Sequence, residues 1–405
     1  MIDYILRKLH IHSRTRQFAA ALALTVLAGG LYLSVVHESP EHIAAQCQNA
    51  GNKPLCYTNL INEVVRTRGL SAAFEVLVAA YNADPAFAAT CHANTHDLGK
   101  AAYIEFHRTG KVVLSPETSF CGYGFYHGFM EEMLAETHDF SEARAFCRYA
   151  AEQVPTPPGY AEGACYHGIG HGITDGYDPR LWGDAEAMSA PGIALCREVA
   201  SSNDEWDRRC ASGVFNSVAI LYRNPKYKLV AQNPFELCAT PYAGVEKEAC
   251  YDQMNTLAAF MARGDFSKAI GYTNKITNDT YRAIAIKGIG GYYIQDLRLA
   301  GKTILPKEVS GVCVALDSQF RAVCIGGLVE GIMEFGAPGL QYVEILALCR
   351  TPNLSANLRP ACFGALARLS EVFYPKPQLQ AVCKEIPKEY DEISACSDHT
   401  AAPSL

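Results

Sequence analysis

The sequence lacks most of the short motifs that identify a common enzyme class. It contains no G-x-S-x-G, no H-E-x-x-H, no P-loop and no C-x-x-C-H haem attachment. There is no C-x-x-C pair either, which disfavours a zinc cluster built from cysteines. Charged residues make up only 19% of the 405 residues, and the net charge is −7, which disfavours a nucleic-acid partner.

Charge is missing altogether from one segment near the N-terminus. Residues 18–36 read FAAALALTVLAGGLYLSVV, which is long enough to cross a bilayer as a helix. Residues 1–17 carry an excess of positive charge, so we expect this tail in the cytoplasm and the rest of the chain outside it. The pattern predicts a signal anchor in the cell membrane and a periplasmic or extracellular domain. A cleaved signal peptide is the alternative.

All 16 cysteines follow this segment. An even number of cysteines confined to the exported part predicts disulfides formed in an oxidising compartment. Spacing alone leaves several connectivities open, but a bond between consecutive cysteines across a short loop is sterically easy. The pairs expected in this way are Cys47–Cys56, Cys91–Cys121, Cys147–Cys165, Cys196–Cys210, Cys238–Cys250, Cys313–Cys324, Cys349–Cys362 and Cys383–Cys396.

The residues that follow certain cysteines resemble one another. Glycine stands three residues after the cysteine in CGYGFYHG (121–128), CYHGIGHG (165–172), CASGVFNS (210–217) and CIGGLVEG (324–331), and three of the four have a second glycine at plus seven. The spacing of about 40 residues is typical of a two-helix repeat. We expect each of these cysteines to lie at a helix start, and the glycines to let neighbouring helices approach closely.

These patterns predict an all-α fold of disulfide-stapled helical hairpins, arranged as an open α-solenoid or a closed α/α toroid. The segments CGYG (121–124) and CHA (91–93) resemble helix starts of lanthionine cyclases, although in the opposite chain order. The resemblance implies toroid geometry and no particular activity. We expect one extracytoplasmic repeat domain over residues 43–396 and a C-terminal tail over 397–405.

Histidines are concentrated in three consecutive segments. His92 and His96, and likewise His167 and His171, are four residues apart, which places each pair on one helix face. His127 lies in the segment between them. Imidazole ligands suit zinc, copper or iron, so the five histidines are candidate ligands of a transition metal ion. The alternative is that each histidine only bonds to a nearby backbone carbonyl.

Three carboxylates accompany the histidines. Glu131 is four residues after His127, and we expect it to bind the metal or to act as general base for a metal-bound water. Asp97 and Glu132 are expected to orient histidines from behind. The alternative for Glu131 and Glu132 is a solvated helix face.

Besides a chaperone-like or peptide-modifying enzyme with a different nucleophile, two functions remain open from the sequence. The first is a membrane-anchored, metal-dependent oxidoreductase or hydrolase. The second is a non-catalytic scaffold that binds a protein, a peptide or an envelope polymer on its concave face, with structural histidines.

Overall fold

The computed structural model describes residues 39–112, 114–154, 160–174, 179–239, 242–374, 376–393 and 396. This part of the chain is all-helical and contains no strand. No helix in it combines the length and the hydropathy needed to cross a membrane. The predicted anchor over residues 18–36 and the two predicted tails, 1–17 and 397–405, lie outside the described residues.

Within the described residues the α-helices follow one another with short connections. They are α1 (Pro40–Ala45), α2 (Lys53–Arg68), α3 (Leu70–Ala83), α4 (Pro85–Ala88), α5 (His92–Thr109), α6 (Gly124–Thr137), α7 (Phe140–Gln153), α8 (Tyr160–Ile173), α9 (Ala185–Ala200), α10 (Asp204–Leu221), α11 (Gly244–Gln253), α12 (Asn255–Ala262), α13 (Phe266–Thr273), α14 (Asp279–Leu299), α15 (Pro306–Val314), α16 (Ser318–Phe335), α17 (Gln341–Cys349), α18 (Arg359–Phe373) and α19 (Lys376–Glu385).

The expectation that the repeated cysteines lie at helix starts is wrong for three of the four, since only Cys121 lies just before a helix. Cys165 lies inside α8 and Cys210 inside α10. The reason is visible at α10, where the Asn203 side chain caps the helix by accepting hydrogen bonds from the backbone N–H groups of Glu205 and Trp206. The polar cap, and not the cysteine, determines where this helix begins.

One series of helices lines a central cavity. In chain order α5, α6, α8, α10, α11, α14, α16 and α18 each pack against the next. Within the described residues, only α18 of this series contributes no residue to the cavity lining, and neither do α7, α9, α13, α15 and α17, which pack against members of the series. Residues of α5, α6, α8, α10 to α12, α14 and α16 line a cavity of about 490 Å³. A Cβ added at Gly122, just before α6, would lie 3.0 Å from Oε1 of Glu334 on α16. The later helices therefore meet the earlier ones at this cavity.

Glycines allow the cavity-lining helices to pack with their backbones in contact. A Cβ at Gly128 on α6 would collide with the carbonyl oxygen of His96 on α5, and a Cβ at Gly213 on α10 would collide with that of His167 on α8. Both glycines belong to the repeated cysteine-glycine pattern. Because these residues have no side chain, α5, α6, α8 and α10 can pack closely enough for histidines on different helices to contact one another.

The eight disulfides join the pairs that chain order predicts. No cysteine of the described residues is free. Seven of the bonds close segments of 9 to 18 residues, and Cys91–Cys121 closes one of 30. A closed loop of about 15 residues contributes roughly 3 kcal/mol to stability by the chain-entropy estimate. These local bonds are typical of an extracellular type of stabilised helical protein.

Candidate metal centre

The five histidines predicted as metal ligands converge on one side of the central cavity. His92 and His96 project from α5, His127 from α6, and His167 and His171 from α8. The Nε2 atoms of His92 and His96 are 3.1 Å apart, as are those of His167 and His171. Nδ1 of His127 is 3.3 Å from Nε2 of His96.

These distances match the spacing of ligands around one ion. With Zn–N bonds of 2.0–2.1 Å, tetrahedral zinc puts two ligand nitrogens about 3.3 Å apart and their ring centroids about 5 Å apart. The centroids of His92, His96 and His127 are 4.8, 5.1 and 5.1 Å apart. Those of His127, His167 and His171 are 4.6, 5.1 and 4.9 Å apart. Two groups of three histidines could therefore hold a metal ion, and they share His127.

The outer ring nitrogens have partners that define their protonation. Nδ1 of His92 lies 2.8 Å from the carbonyl oxygen of Cys121, which can only accept, so Nδ1 donates. Nδ1 of His167 lies 2.6 Å from Oγ of Ser212, whose hydroxyl proton is donated to the carbonyl oxygen of Arg209 at 2.7 Å. Ser212 must therefore accept from His167. In both neutral rings, this network assigns the proton to Nδ1 and the lone pair to Nε2.

Glu131 lies behind the histidines. Its Oε1 atom is 3.3 Å from Nδ1 of His96 and 3.6 Å from Nδ1 of His171, and its Oε2 atom is 3.1 Å from Nζ of Lys100. Ser217 adds a hydrogen bond of 2.8 Å to Nδ1 of His171. We expected Glu131 to bind the metal directly or to act as general base, but its carboxylate contacts the outer nitrogens of histidines from α5 and α8. This is the position of a residue that orients ligands.

Burial favours the neutral, metal-binding form of four of the five histidines. Burial, reinforced by the neighbouring histidines, lowers the pKa of His92 to about 4 and that of His171 to about 3, and lowers the pKa values of His127 and His167 well below the usual value. Burial by itself would raise the pKa of Glu131, but the hydrogen bond and charge of the adjacent imidazole lower it to about 2. Neutral imidazole is the form that ligates metals.

Asp97 and Glu132 do not take the orienting role expected of them. Among the described residues, neither one forms a hydrogen bond or an ion pair with any of the five histidines. Asp97 directly follows His96 on α5, and adjacent residues of a helix do not share a face. Glu132 directly follows Glu131 and is turned away for the same reason.

No motif in the sequence singles out Ser212 and Ser217, whose hydroxyls bond to His167 and His171. A signal for them exists in the repeat. Each serine lies 45 or 46 residues after the histidine that it contacts, which is close to one repeat length. The serines therefore occupy on α10 nearly the register that the histidines occupy on α8.

The rest of the cavity lining carries polar side chains and charges of both signs. Lys287 on α14 forms an ion pair of 2.5 Å with Glu330 on α16. Burial, together with the charges of Glu330 and Asp252, raises the pKa of Glu334 to about 7. Asn216 lines the same cavity, at a register that histidine occupies in earlier repeats. The cavity thus brings carboxylates of the later helices together with the histidine cluster, and Glu334 approaches the cluster at Gly122.

No protein-family model matches the chain, and no curated protein or solved structure matches it either. Cys91 and Cys121, which carry the resemblance to lanthionine cyclases, are bonded to each other, so neither is a free thiolate for zinc. What the site can do must therefore be inferred from its own geometry.

Proposed function

We propose that the histidine cluster binds a transition metal ion (zinc, copper or iron) and that the protein is a metal-dependent oxidoreductase or hydrolase acting on a small polar molecule in the central cavity. The substrate approaches from the cavity side of the histidines. Glu131 positions ligands and does not itself contact the metal.

The observation that carries this proposal is the contact between His92 and His96. The Cys121 carbonyl and the Glu131 carboxylate each face an Nδ1 atom, which places a proton there, so the neutral form of each ring has its lone pair on Nε2. The two Nε2 atoms are 3.1 Å apart. When both rings are neutral, two lone pairs at that distance repel unless a cation lies between them, and a metal ion supplies that cation.

The surroundings favour a catalytic site over a purely structural one. A structural zinc site is closed by four protein ligands, whereas a catalytic site has three and keeps a position for water or substrate. Each group here has three histidines, and both groups face a cavity of about 490 Å³. That volume suits a small ligand.

The proposal extends to the membrane anchor, the extracytoplasmic domain and the arrangement of its helices. We propose that residues 18–36 anchor the chain in the membrane and that residues 43–396 form one extracytoplasmic domain. Within it, stapled helical hairpins would form a closed α/α toroid, a proposal supported by the approach of Glu334 to Gly122 across the cavity. The eight disulfides support an oxidising location.

Elemental analysis of the untagged, full-length protein tests the proposal. We expect near-stoichiometric zinc, copper or iron in the wild type and its loss in His96→Ala. His107→Ala is the matched control, because His107 lies on the same helix but is 59% exposed and pairs with Glu136. No bound metal in the wild type, even after incubation with each ion, would refute the proposal and favour the scaffold that binds a protein or an envelope polymer.

A further inference from the structure

The two groups of three histidines have the form of two triangles that share one corner. One triangle has two corners on α5, the other has two on α8, and His127 on α6 belongs to both. Within each triangle the ring centroids are no more than 5.1 Å apart. Each triangle therefore has the size expected for three imidazoles on one ion.

A single ion does not account for all five rings. His96 and His171 belong to different triangles, and their ring centroids are 5.8 Å apart. Apart from contacts of the shared His127, this is the one close ring contact between the triangles among the described residues. No such contact joins His92 to His167 or to His171 in that part of the chain. The five rings are thus too widely spread to be one ligand set, and two ions fit them better.

The shared histidine has the atoms that two ions would need. An imidazole nitrogen has one lone pair in the ring plane and binds one ion, so a ring shared by two ions must use both nitrogens. Nδ1 of His127 faces Nε2 of His96 at 3.3 Å. Nε2 of His127 has no hydrogen-bond partner among the described residues, although the residue is only 6% exposed. Because His127 lines the cavity, that nitrogen is available to a second ion.

We propose that the protein binds two metal ions bridged by the imidazolate of His127, one held with His92 and His96 and the other with His167 and His171. This inference rests on the proposed metal-binding function. When the second ion binds, His127 gives up its remaining ring proton to solvent, and no redox change is needed. The Oε1 atom of Glu131 contacts one histidine of each triangle and positions both halves of the centre.

Zinc stoichiometry tests the number of ions. The full-length protein is stripped with a chelator and titrated with Zn(II), and bound metal is counted per chain. We expect two ions in the wild type, two in the control His107→Gln, and one in both His92→Gln and His171→Gln. These two variants each remove a corner from only one triangle, and circular dichroism shows whether they keep the helical fold.

Copper tests the bridge itself. The first Cu(II) equivalent should give the paramagnetic resonance signal of an isolated ion, and the second should reduce the signal per copper, because an imidazolate bridge couples the two spins. One ion per chain that is lost from both single variants would overturn the dinuclear centre but leave the proposed metal function standing. Two uncoupled copper ions would overturn the bridge, and no bound metal would overturn both proposals.

Discussion

Gly326 and Gly327 are neighbours on α16, yet alanine at the two positions should change stability in opposite directions. A Cβ at Gly326 would have no atom within 4 Å, apart from its own helix and chain neighbours. A Cβ at Gly327 would collide with the carbonyl oxygen of Lys287 on α14 and lie 2.8 Å from its carbonyl carbon. The atoms met at Gly327 belong to a helix backbone, so they cannot rotate away as a side chain could.

The expected magnitudes follow from these surroundings. Gly326→Ala should stabilise the protein by about 1 kcal/mol, because alanine loses less backbone entropy than glycine in a helix. Gly327→Ala has the same favourable entropy term of about 1 kcal/mol. It must also separate α14 from α16, however, and overpacking of this kind costs up to about 3 kcal/mol. The net loss is then about 2 kcal/mol. The two variants should differ by about 3 kcal/mol, which corresponds to roughly 4 °C in Tm for a domain of this size.

Thermal unfolding of the oxidised protein, followed by circular dichroism, measures the difference. Both variants keep all eight disulfides and all five histidines of the cluster, so a change in Tm reports on the packing of α16 alone. If both alanines shift Tm in the same direction, the close approach of α14 and α16 at the repeated glycine is not what stabilises this part of the fold.

Three further outcomes are expected. Glu131→Gln should weaken metal binding by about 10- to 100-fold, as loss of a ligand-orienting carboxylate does, whereas Glu132→Gln should leave affinity unchanged in a competition titration. Because the pKa of Glu334 is raised in the folded protein, that group lowers stability as pH rises from its ordinary value of 4.5 through about 7. Glu334→Gln should therefore raise Tm at pH 8 but not at pH 4, and an equal shift at both would contradict this. Deletion of residues 1–36 should move the protein from the membrane fraction to the soluble fraction, and its retention in membranes would refute the predicted anchor.

The features that could be predicted from the sequence come from recurring residues: the cysteines, the glycines and the paired histidines. Consecutive cysteines at regular spacing predicted the disulfide pairs, and the recurrent glycines predicted close helix contacts such as the one at Gly128. The i,i+4 spacing placed His92 beside His96 and His167 beside His171. Each of these inferences needs only the geometry of one helix or of one short loop.

The features that the sequence did not predict depend on how one helix is rotated against the next. Glu131 was expected to face the metal, but α6 turns its carboxylate toward the outer nitrogens of His96 and His171. The contact between Ser212 and His167 depends in the same way on the rotation of α10 against α8. Glu334 reaches the histidine side only because the last cavity-lining helices meet the first, and no local pattern encodes that return.

The order of the disulfides bears on how the protein is made. Every bond joins a cysteine to the next cysteine along the chain, and none crosses another. An exported domain that emerges into an oxidising compartment from its N-terminal end therefore presents each cysteine with its correct partner before any wrong partner has appeared. An oxidant that acts during synthesis could complete each bond in turn, and a disulfide isomerase would have little to correct.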